Sequence, residues 1–177
     1  WNHSFPHMAP PPPVMEWREE AVRWFDHWLK GVDNGIMDEP KMAVFIRDGH
    51  GPGVPDSIEG QWEWVHEWPS QVMVDTTLYL QQGGKLGALV PEASEDQLAY
   101  KPSAGIEASG SVMWWGDWSP DIQDSDDHSL VYQTEPLKED IQILGFPRLQ
   151  VNASVNATQT HFTGRLSDVS PDDQVTL

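Results

Sequence analysis

A chain of 177 residues is long enough for one ordinary domain, or for a small domain with an appendage. Its 28 Asp plus Glu outnumber 10 Lys plus Arg, and the resulting formal charge of −18 repels a phosphate backbone and an anionic bilayer, so neither nucleic acid nor membrane is expected as a partner. There is no Cys, which excludes disulfides, thiol catalysis and Cys-ligated zinc in this segment, and no apolar run approaches the length of about 18 residues that a membrane-spanning helix needs.

The first residues read as loop. Pro10 to Pro13 form an uninterrupted run in which every residue lacks an N–H and biases its predecessor to extended geometry. A helix is expected next, over about Val14 to Lys30. Trp17, Ala21, Trp24, Phe25 and Trp28 recur at spacings of three and four and give it one broad aromatic face. Glu16, Glu19 and Glu20 suit the positive end of the helix dipole, Lys30 suits its negative end, and Gly31 is the expected cap.

Asp33-Asn34-Gly35 signals a turn, and Ala43 to Ile46 is a short apolar run expected as a strand. Asp48 to Gly60 carries four Gly and two Pro and reads as an irregular loop. Trp62 and Trp64 alternate like a strand edge, with Trp68 beyond them. Thr76 to Gln82 alternates cleanly, Gly83-Gly84 is a hairpin turn signal, and Lys85 to Leu89 is the expected return strand. Glu92 to Gly110 is polar and loop-like. Leu130 to Thr134, Ile141 to Leu144, Arg148 to Val155, His161 to Val169 and Val175 to Leu177 complete the expected strands. The fold class is therefore mainly β with an N-terminal helix, its roughly six to eight short strands spaced as in a sandwich or jelly roll.

Several clusters invite a functional reading. His3 and His7 could share a metal only on a helix, which the proline run opposes. Asp121, Asp124, Asp126 and Asp127 could hold calcium, but they lack the glycine and bidentate glutamate of an EF-hand loop and read as a solvated acidic stretch. Trp62, Trp64, Trp68, Trp114, Trp115 and Trp118 could stack on sugar, although such residues more often fill the contact between a β-sandwich and its neighbour. Three tripeptides starting at Asn2, Asn152 and Asn156 match the short glycosylation pattern, which is frequent by chance. No metal and no cofactor are expected.

The order of motifs resembles the cocaine-esterase and X-Pro dipeptidyl-peptidase family of serine α/β-hydrolases. The stretches that carry the likeness are Trp1-Asn2-His3-Ser4, WFDHWLKGVDNGIMDEP over 24–40, Glu67-Trp68-Pro69 with Thr77-Leu78-Tyr79-Leu80, LVYQTEPLKEDIQILG over 130–145, and FTGRLSDVSP over 162–171. Two positions depart from the pattern. His161 stands where the family usually has Asp, and Asp173 follows Asp172 where a Gly is usual.

The resemblance implies that residues 1–40 are the tail of an α/β-hydrolase domain, with the triad-histidine loop and last helix. It implies that 41–177 are a linker and the first part of a galactose-binding-like jelly-roll β-sandwich. It also implies that both ends of the parent are missing. His3 is then the triad base, the only catalytic member present, since the triad order Ser, Asp, His puts the other two upstream and no G-x-S-x-G is found. The plain alternative for His3 is a loop histidine bonded to backbone. The parent is expected to cleave a small-molecule ester or amide, or a peptide, and is a candidate homo-oligomer, while the isolated 177 residues are expected to be inactive and loosely packed. A stand-alone jelly-roll binding module for carbohydrate or protein, and a non-catalytic interaction domain with an acidic surface, are the rival readings.

Overall fold

The computed structural model describes residues 16–53, 59–101 and 121–176. The chain divides into two compact units. One is Trp1–Asp48 with Pro55–Asp75, and the other is Gly49–Val54 with Thr76–Leu177.

The first unit holds helix α1, Trp17–Lys30, followed by strands β1, Met42–Arg47, and β2, Gly60–Val65. Glu19 and Glu20 occupy the first turn of α1 and Lys30 the last, as the helix dipole favours. Gly31 ends the helix in left-handed geometry at φ 70°, where a side chain would be strained. Its N–H bonds the His27 carbonyl at 3.1 Å, and the Val32 N–H bonds that of Asp26 at 3.1 Å, so two otherwise unpaired carbonyls are satisfied.

The exit loop is fastened back onto the helix. The Asn34 amide donates to the Arg23 carbonyl at 2.8 Å while its oxygen accepts from the Ile36 N–H at 3.3 Å. The Arg23 guanidinium grips both oxygens of Glu20, at 2.9 and 2.7 Å, and also pairs with Glu39. Arg23 thus ties the second turn of α1 to the residue before Pro40.

Strands β1 and β2 pair antiparallel from Met42↔Val65 to Arg47↔Gly60. Period-two alternation puts Ala43, Phe45, Trp62 and Trp64 on one face. Phe45 and Trp62, directly opposed, meet edge-on with centroids 5.4 Å apart. Trp64 stands opposite small Ala43 and remains 57% exposed. At the start of β2, Gly60 has φ 144°, and a Cβ there would lie 2.1 Å from the Ile46 carbonyl oxygen. Glycine is the residue that lets the two backbones meet at this point.

The second unit contains hairpin β3, Tyr79–Gln81, with β4, Lys85–Gly87; the one-turn helix α2, Gln123–Asp126; and hairpin β5, Asp168–Val169, with β6, Val175–Thr176. Gly83 and Gly84, at φ 78° and 74°, turn the first hairpin where the sequence placed a turn. Gln133 adds a single parallel bridge to Lys85, with bonds of 2.8 Å from the Leu86 N–H to the Gln133 carbonyl and from the Gln133 N–H to the Gly84 carbonyl.

Residues Ser170 to Gln174 close the second hairpin. The Asp173 N–H bonds the Ser170 carbonyl and the Ser170 N–H bonds the Gln174 carbonyl, both at 2.9 Å. Pro171 sits where a fixed φ helps the turn, and Asp173 takes the left-handed position at φ 64°. A glycine at this position would carry no such strain, which gives the departure from the family pattern a backbone meaning. Ile122, 1% exposed, anchors the unit: its N–H bonds the Val175 carbonyl at 2.9 Å, and Val175 is itself buried.

The sheets formed by the described residues are three separate antiparallel pairs. The expected strands differ in extent. Thr76–Gln82 shrinks to β3, and His161–Val169 shrinks to β5. Ile141–Leu144 and Arg148–Val155 form no ladder, and their apolar side chains are exposed: Ile143 67%, Leu149 61%. Alternation marks a strand-capable segment, but a strand exists only where a second segment supplies its hydrogen bonds.

Three outcomes follow from this geometry. Gly60→Ala should cost at least about 2 kcal/mol, from left-side backbone strain plus the clash with Ile46, read as faster hydrogen exchange at the Asp48 N–H that bonds the Glu59 carbonyl. Asp173→Gly should gain about 0.5 kcal/mol, the relief of left-handed strain exceeding the added chain entropy, read as slower exchange at the Ser170 N–H; faster exchange would contradict the turn assignment. The Tyr132 hydroxyl donates to Asp96 at 2.6 Å, and that bond pushes its pKa up to about 12, with desolvation adding. A raised pKa stabilises the fold below the unfolded value of about 10 and is lost as pH climbs towards the folded one. Absorbance titration should therefore show one late tyrosinate step that Tyr132→Phe abolishes.

Candidate functional site

His3 lies outside the described residues, as do His7, Trp114, Trp115, Trp118 and Asn2. The helix that follows His3 and His7 in the chain, α1, is described in full. None of its residues is buried. Its aromatic stripe is present as the spacing predicts, with Trp17, Trp24, Phe25 and Trp28 between 46% and 56% exposed. Trp24 and Trp28 tilt against each other at 5.7 Å, and the His27 ring meets Trp28 edge-on at 5.1 Å. The His27 Nδ1 lies 3.1 Å from the Val32 carbonyl oxygen, so this imidazole is engaged in closing the helix end.

On the other side of α1, Lys30 pairs with Asp26 at 2.6 Å, and Arg23 pairs with Glu20 and Glu39. The helix thus has a charged side knitted to its own exit loop and an aromatic side with nothing buried on it. An amphipathic helix in this state presents a surface shaped for apolar contact.

The acidic run is partly structural. Asp121 Oδ1 accepts from the Gln123 N–H and from the Val175 N–H, each at 3.1 Å, so it both starts α2 and holds the start of β6. Asp126 is paired with Arg165 at 2.7 Å. Burial pushes the Asp126 carboxyl above its ordinary value, Arg165 pulls it down, and Asp127 and Asp121 push it up again. Among the described residues, no group of three or more His, Asp and Glu side chains is arranged to hold a metal ion.

Trp62, Trp64 and Trp68 are divided in role. The Trp62 indole packs on Phe45, and its Nε1 is buried with no partner among the described residues, a cost of roughly 1–3 kcal/mol that a purely packing role must offset. Trp64 and Trp68 are exposed, at 57% and 37%. Asn152 and Asn156 are both exposed in a segment without regular structure.

The pairs Arg165–Asp126, Tyr132–Asp96 and Asp121–Val175, and the Arg23–Glu39 clamp, were not visible in the residue pattern. Their separations of 39, 36, 54 and 16 residues leave no periodic signal. Only the Asp-x-Gln start of α2 and the Asn34-Gly35 turn carry local cues.

The comparisons with known proteins agree with one another. A family model described as the X-Pro dipeptidyl-peptidase C-terminal non-catalytic domain matches residues 34–177. A provisionally named Xaa-Pro dipeptidyl-peptidase of Bacillus cereus is 23% identical over 86% of this chain and 23% of its own length. Cocaine esterase of a Rhodococcus species is 27% identical over 90% of this chain and 29% of its own. A provisionally named serine esterase of Mycobacterium bovis is 23% identical over 99% of this chain and 28% of its own. The chain thus spans about a quarter of the length of these curated relatives. No solved structure matches it. Matched over residues 34–177, the chain belongs to the family of X-Pro dipeptidyl-peptidase C-terminal non-catalytic domains, whose relatives include serine esterases and cocaine esterase.

Proposed function

We propose that these residues belong to a serine hydrolase cleaving ester or amide bonds. In this reading, residues 1–40 close its α/β-hydrolase domain and residues 41–177 begin its galactose-binding-like jelly-roll β-sandwich. The observation that carries the reading is where the non-catalytic match starts. It starts at Asn34, three residues past the cap of α1, so the His3 segment and the helix lie upstream of it. Upstream of it, the likeness to a named serine esterase nonetheless continues, over 99% of the chain.

The exposed aromatic stripe of α1 supports the same assignment. In an α/β-hydrolase such a helix lies against a sheet, and burying a Trp or Phe side chain there contributes about 1.5–3 kcal/mol each. The loop lock at Arg23 and Asn34 would then carry the helix rigidly into the strand that follows.

His3 is the proposed general base. Its imidazole takes the proton of the serine hydroxyl as that oxygen attacks the carbonyl carbon. It returns the proton to the leaving alkoxide or amine as the acyl-enzyme forms, and repeats the cycle with water. A carboxylate on the far ring nitrogen fixes the tautomer. Substrates are small esters, amides or peptides with a penultimate proline, in keeping with the names of the relatives. The strands contribute no reacting group and serve to build and shield the site, and the whole protein is proposed to self-associate.

In the full-length parent, His3→Ala should lower kcat by about 10⁴- to 10⁶-fold on p-nitrophenyl esters or X-Pro anilides without unfolding the protein; a loss under tenfold would remove His3 from the mechanism. The 177 residues alone should show no turnover above buffer and should bind a hydrophobic dye. Replacing Trp24 and Trp28 by Lys should cut that dye signal at least about twofold; an unchanged signal would show that the stripe is not the sticky surface.

A further inference from the structure

We draw no further inference here: the strongest candidate, the uncovered aromatic face of α1 formed by Trp17, Trp24, Phe25 and Trp28, has nothing in the structure to show what covers it beyond the hydrolase sheet already proposed.

Discussion

Every strand ladder in the described residues depends on a backbone that can turn sharply or approach closely at one residue. Gly60 does this for β1 and β2, Gly83 and Gly84 for β3 and β4, and Asp173 for β5 and β6. The constraint is steric. At positive φ a Cβ crowds the neighbouring carbonyl, so a residue without one is favoured, and a short polar residue is the next choice. Two of these sites use glycine and the third uses aspartate. The short reach of β3–β4 and β5–β6 fits this dependence, since pairing formed beside a tight turn has little loop entropy to overcome.

Side-chain anchoring then extends what the turns begin. Asp121 holds two N–H groups, one beside it in sequence and one 54 residues away, and so ties α2 to β6. Ile122, next to it, supplies the buried apolar contact. Arg165 crosses to Asp126 and Tyr132 crosses to Asp96. These links are mostly surface-exposed and individually modest in energy. In the other unit, Arg23 and Asn34 perform the comparable task of fixing a loop to a helix. The conspicuous motif WFDHWLKGVDNGIMDEP is in this light a helix with its own fastening: the glycine caps it, the asparagine bonds it and the final glutamate closes the clamp.

The division of the helix into a clamped side and an open side bears on function. A charged flank held by its own loop cannot readily serve a second partner, whereas four aromatic side chains about half exposed can. Membership of a non-catalytic domain family beginning just after this helix separates the chain into a scaffold and the segment before it. The matched part, residues 34–177, is by its family a non-catalytic domain, so the chemistry proposed above is assigned to the segment before it.

Local pattern was enough to place α1 to within a few residues, its capping glycine, the Gly83-Gly84 turn and the two strands on either side of it. Each of these is decided within four or five residues, by helical spacing or by a φ that few residues tolerate. The candidate base, His3, came from motif order, as did the family. The partners of the strands were not legible. Alternation over Ile141–Leu144 and Arg148–Val155 says that one face is apolar, but hydrogen bonds require a second backbone, and which backbone is a long-range matter. The pairing of Arg165 with Asp126, 39 positions apart, and the burial of Ile122 beside Val175 were likewise settled in three dimensions, because electrostatic and apolar contacts act between residues that the chain brings together from afar.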